Sequence, residues 1–194
     1  MCSWFPWYSL FCCLHSPDVY IKTVSVQWGE VHYAFTGSAY TQTVYAYPTS
    51  SCTGLLLTIV INANYAISNV TRSSFDLQGN FDETLTGYTV AVSDNSTLAT
   101  YNSSSMCGYN NWILNVPKNV LGRSCNGGQI PSAGTVNYNL INSVYATTSF
   151  GPPSSPTVYT AVDLTLGTST SGNDGTTPAR RYNTLNGNQI YTKQ

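Results

Sequence analysis

Two histidines, eight carboxylates and six cysteines are the side chains in this 194-residue chain suited to acid–base, metal or redox chemistry. A Ser/His/Asp triad would have to use His15 or His32. No G-x-S-x-G elbow supplies a nucleophile, and H-E-x-x-H, the Walker A loop and G-x-G-x-x-G are absent too. His32 falls in an alternating strand pattern and reads as a structural surface histidine. The carboxylates make one cluster, Asp76-Leu-Gln-Gly-Asn80-Phe-Asp82-Glu83. Paired carboxylates hydrolyse glycosides when they flank the bond. Asp82 and Glu83 are adjacent, however, and in a strand they would face opposite ways. The cluster reads first as a turn with Asx hydrogen bonds. A calcium loop with Asp76, Asn80 and Asp82 as oxygen ligands is the sharper reading, although its spacing departs from the EF-hand. The expectation is a non-enzymatic chain with no cofactor and no firm metal site.

Cys2, Cys12, Cys13, Cys52, Cys107 and Cys125 form neither a C-x-x-C nor a Cys/His ligand set, so disulfides are expected rather than zinc. Cys107 and Cys125 are the first pair to consider, because they bracket 17 residues rich in Asn and Gly. Closing that loop is worth about 3 kcal/mol. Cys52 would then join the N-terminal group or another chain. Three sequons, at Asn69, Asn95 and Asn102, point to the same oxidising, secretory route and make N-linked glycans possible. The expected location is secreted or at the cell surface.

The elements that must carry these residues are strands. Val158 to Leu166 alternates, as do Val31-Tyr33-Phe35, Trp112-Leu114-Val116 and Val136-Tyr138-Leu140. Leu55 to Ile61 is nearly continuous in apolar residues and fits a strand buried on both faces. Tyr20–Trp28, Thr41–Tyr47 and Thr84–Val92 complete the set, with turns expected at Gly79-Asn80, Asn126-Gly127-Gly128 and Pro152-Pro153. No stretch keeps helical periodicity over three turns. The fold expected is all-β, an immunoglobulin-like antiparallel β-sandwich with extended terminal arms; a barrel is the alternative.

Three segments follow: residues 1–16, a hydrophobic arm or degenerate signal segment; 17–166, the sandwich; and 167–194, a Thr/Ser/Gly/Asn-rich tail suited to strand exchange. Met1–Leu14 is uncharged and apolar but shorter than the roughly 20 residues of a spanning helix. No transmembrane span is expected. Only 15 residues are charged and the net charge is −1, which argues against nucleic acid and against a polybasic membrane patch.

One stretch carries a resemblance. Trp112-Ile-Leu-Asn-Val-Pro117, with Gln129-Ile-Pro-Ser-Ala-Gly134-Thr-Val-Asn-Tyr138-Asn-Leu-Ile141, resembles cellulose-binding-type carbohydrate-binding modules. It spans 30 of the 194 residues, and it departs where Asn139 replaces the Gly that usually follows the aromatic. The resemblance implies a secreted β-sandwich, with Trp28 and Trp112 as carbohydrate-stacking candidates. The chain's 15 tyrosines exceed what one small core buries, so exposed rings are expected for sugars or protein partners. The function expected is a self-assembling subunit of a glycosylated extracellular fibre or filament, with copies of itself as partners. The alternative is a module that binds polysaccharide.

Overall fold

The computed structural model describes residues 7–8, 28–73, 76–148 and 158–193. The strands are β1 (Trp7–Tyr8), β2 (Trp28–Thr36), β3 (Ala39–Tyr47), β4 (Leu57–Arg72), β5 (Asp76–Val92), β6 (Lys118–Asn119), β7 (Ser124–Cys125), β8 (Gly128–Gln129), β9 (Val136–Thr148), β10 (Val158–Thr168) and β11 (Thr184–Lys193). One helix, α1, spans Asn95–Ser103. All pairings are antiparallel.

The sheet order β4-β3-β2-β1-β11-β10-β9-β5 is joined end to end by a further β4–β5 pairing. The sheet therefore closes into an up-and-down barrel, rather than dividing into the two facing sheets expected for a sandwich. Alternation alone does not separate these outcomes, since a strand with one buried face serves either. Length and bulges do separate them. β4 and β5 run 16 and 17 residues. They shift register between Asn62 and Ala63 and again between Ser68 and Thr71. Bulges increase twist and bend the sheet toward closure.

The interior face follows the register. Val31, Val44 and Ile59 lie opposite one another in turn, as do Phe35, Tyr40 and Ala63. Beyond the bulge at Thr86 the inward residues of β5 are Tyr88, Val90 and Val92; before it they are Phe81, Glu83 and Leu85. Residues 93–135 close one end as a cap. Asp94 starts the helix by accepting the Thr97 N–H at 2.8 Å. The cap also supplies edge partners for β5 where β9 has not yet begun. Val120 N–H donates to Tyr88 O and Leu85 N–H to Thr135 O, both at 2.9 Å.

Several local expectations change. Trp112–Val116 is loop, not strand, because it turns the cap inward around a buried indole. Gly79-Asn80 lies inside β5 instead of in a turn. A side chain at Gly79 would crowd Ser68 O of the bulged β4 at 3.1 Å. Asn126-Gly127 does make the expected turn, with φ of 47° and 81° at the centre of the β7–β8 hairpin. The segment expected as a C-terminal arm supplies β11, which pairs with β10 and β1 of its own chain, and position 167 falls inside β10. Pro152-Pro153 and most of the residues 1–16 segment lie outside the described residues.

Candidate ligand-binding site

The barrel interior has two apolar clusters. One joins Val44, Leu57, Ile59, Val90 and Val92 to Tyr101, Met106, Trp112, Val120 and Ile130 of the cap. The other is aromatic and includes Tyr33, Phe35, Tyr40, Phe81 and Tyr191. Between them is a cavity of about 310 Å³. Gln42, Ile61 and Tyr88 form one rung of its wall, and Tyr40, Ala63 and Leu85 the next. Exposed Pro131 and Thr135 mark its rim, together with Tyr182 from the loop between β10 and β11.

Glu83 is the polar centre of this cavity and is 9% exposed. Tyr40 Oη donates to its Oε1 at 2.7 Å. Asn137 Nδ2 and Asn139 Nδ2 donate to its Oε2 at 2.6 and 3.2 Å. Burial drives the Glu83 pKa up; the three hydrogen bonds oppose this, and the nearby Asp82 charge adds to the rise. Burial also raises Tyr33 and Tyr40 well above the usual tyrosine range, with Glu83 contributing to both. Tyr88 and Tyr191 are pushed up to about 12, chiefly by burial. At ordinary pH these phenols therefore serve as hydrogen-bonding groups and ring faces, not as acids. Among the described residues the lining contains no His, Lys, Arg or Cys. A lone carboxyl without a titratable partner is suited to holding a polar group more than to paired acid–base work.

The wall at Asn137 and Asn139 depends on the loop between β10 and β11. Tyr138 N–H donates to Gly175 O at 2.9 Å and Tyr182 N–H to Tyr138 O at 3.1 Å. Only glycine fits at two points of contact. A Cβ at Gly167 would lie 2.5 Å from Asn139 Oδ1, and one at Gly175 would lie 2.3 Å from Asn137 Oδ1. Arg181 fastens the loop from outside, pairing with Asp82 and donating to Asn139 O at 2.9 Å.

The residues singled out by sequence are dispersed. Cys107 and Cys125 are disulfide-bonded, with Cα atoms 4.1 Å apart, as their loop suggests. Cys52 is disulfide-bonded as well; Cys2, Cys12, Cys13 and His15 lie outside the described residues. His32 pairs with Glu30 at 2.8 Å, away from the cavity lining. Trp112 is 3% exposed and its Nε1 donates to Met106 O at 3.1 Å, so it is core and has no free ring face for a sugar. The side chain of Trp28 lies outside the described residues. Asp76, Asn80 and Asp82 sit on alternate positions of β5, so Asp76 and Asp82 are about 20 Å apart along the strand. That spread, and the pairing of Asp82 with Arg181, replaces the calcium loop. The Asx turn expected for the cluster is strand, and Asp82 and Glu83 do face opposite ways.

The sequons differ from one another. Asn69 and Asn95 are exposed. Asn102 is held on both sides of its amide, accepting from Trp112 N at 2.6 Å and donating to Trp112 O at 3.1 Å. It therefore works as a bracket for the cap and not as a free acceptor.

From the sequence, Glu83 stood out only as one of two adjacent carboxylates, and Tyr40, Asn137 and Asn139 were given no site role. The signal was present in Phe81-Asp82-Glu83-Thr84-Leu85, where Glu83 is in phase with two apolar residues. No protein-family model matches the chain, and no curated protein matches it either.

Proposed function

We propose that this chain is a non-enzymatic binding protein that takes a small organic molecule into its barrel. The single observation behind this reading is the cavity of about 310 Å³ in which tyrosine rings and one carboxyl converge. Pockets of this kind, mostly apolar with a few placed polar groups, favour the mouths of β-barrels. The Cys107–Cys125 disulfide and the exposed Asn69 and Asn95 sequons support a secreted or cell-surface setting. β11, from the segment expected as a strand-exchange arm, pairs with β10 of its own chain, so the reading rests on the cavity and not on the arms. The sugar-binding alternative survives as one ligand class for the same cavity, with tyrosine rings in the role first given to Trp28 and Trp112.

Thermal unfolding of the full chain against a panel of small amines, carboxylates, alcohols and monosaccharides tests the proposal. At least one class should raise the midpoint, and Ala63→Leu or Leu85→Phe, which fill the cavity, should remove that shift. A panel with no stabilising member overturns the reading.

A further inference from the structure

The cavity holds a buried carboxyl with no cation to match it among the described residues. Three side chains, Tyr40, Asn137 and Asn139, aim donors at Glu83, and this is the set that suits an ionised carboxylate. No Lys, Arg or His lines the space among the described residues. Arg181 is turned to Asp82 on the outer side of the wall. A buried ion without a counter-ion is unfavourable, and a bound molecule of opposite charge relieves that cost. The remaining lining suits a cation too. Tyr33, Tyr40, Tyr88 and Tyr182 bring four aromatic rings to one small space. Aromatic faces attract ammonium groups, most strongly when water is excluded. An anionic ligand would meet Glu83 directly, with its neighbouring donors already engaged.

We infer that the ligand is an organic ammonium compound, its charge against Glu83 and its carbon frame among Tyr33, Tyr40 and Tyr88. This rests on the cavity being a binding site, and it adds the charge of what binds there. A cavity of about 310 Å³ is at the small end for ligand pockets, which favours a single-ring or short-chain amine.

Calorimetry on the full chain at pH 7.5 with 2-phenylethylamine, 2-phenylethanol and phenylacetate isolates the charge, because the three share one ring and one chain length. The amine should bind at least about tenfold tighter than the alcohol, and phenylacetate should bind weakest. Glu83→Gln should abolish the preference for the amine over the alcohol. With the unmodified chain, lowering the pH through the Glu83 titration should weaken the amine and not the alcohol, a readout that does not depend on the variant folding. Equal affinity for amine and alcohol overturns the inference while cavity binding stands. So does an amine preference that survives Glu83→Gln, and so does failure of all three probes when another panel compound binds.

Discussion

The two halves of the barrel interior are built on the same strands and filled in opposite ways. At the capped end the rungs are Val44–Ile59–Val90 and Ala46–Leu57–Val92, and Trp112, Met106 and Val120 seal them. Branched aliphatics on neighbouring strands interdigitate, and the cap fills what they leave. Further along, large residues stand opposite small ones, as Tyr40 does Ala63, and polar groups enter at Glu83, Asn137 and Asn139. The mismatch in size leaves the cavity, and the polar groups give it chemistry. Both halves are packed, the first by aliphatics against the cap and the second by aromatic rings, and the polar cavity opens within the second.

Mutations in the two halves should therefore behave differently. The largest effect belongs to the cap. Trp112→Ala removes a buried indole stacked edge-on against Tyr101 and Tyr109 and should cost about 3–5 kcal/mol in denaturant unfolding. A cost below about 1 kcal/mol would mean that the cap is not part of the cooperative core. Replacing Cys107 and Cys125 together by Ala should cost about 3 kcal/mol, read the same way, and should leave the cavity residues in place.

A matched pair of hydroxyl deletions sharpens the comparison. Tyr101 Oη, in the cap core, is buried with no hydrogen-bond partner among the described residues, so Tyr101→Phe should be neutral or slightly stabilising. Tyr40 Oη holds Glu83, so Tyr40→Phe should cost about 1–2 kcal/mol and raise the Glu83 pKa further. Equal effects of the two would mean that the dry core and the polar site do not differ in this respect.

The smallest effect concerns pH. The folded-state pKa of Glu83 is raised above its ordinary value of 4.5. Its contribution to stability is therefore complete below that value and is lost as pH rises through the raised pKa. Glu83→Gln cannot ionise and keeps an acceptor and a donor for the same neighbours. It should be more stable than the parent by about 1 kcal/mol at the alkaline end of that window, with the gap closing on acidification. A gap that widens in acid would show that Glu83 is held below its ordinary pKa.

Much of the fold was legible along the chain. Tyr33 and Phe35 alternate in sequence and both are buried; Leu164 and Leu166 do the same. Local alternation fixes which face is apolar, and Cys107 and Cys125 enclose a loop short enough to close on itself. The polar wall of the cavity on β9 was not legible, because there the pattern inverts. In Val136-Asn-Tyr-Asn-Leu140 the polar residues face inward, with Asn139 only 5% exposed, while Arg181 lies over the Tyr138 ring from outside at 5.3 Å. An asparagine faces inward only if something distant in sequence awaits it, and Glu83 is 56 residues from Asn139.

The sequence by itself determined that this is an antiparallel β-protein of low charge, with a disulfide-closed loop, because those properties depend on residues near one another along the chain. The tertiary structure alone decided that the sheet closes into a barrel, that the C-terminal segment becomes a wall strand, and that Glu83 meets Tyr40, Asn137 and Asn139. Those outcomes depend on register between strands far apart in sequence, and a bulge or an added loop resets that register without leaving a local mark.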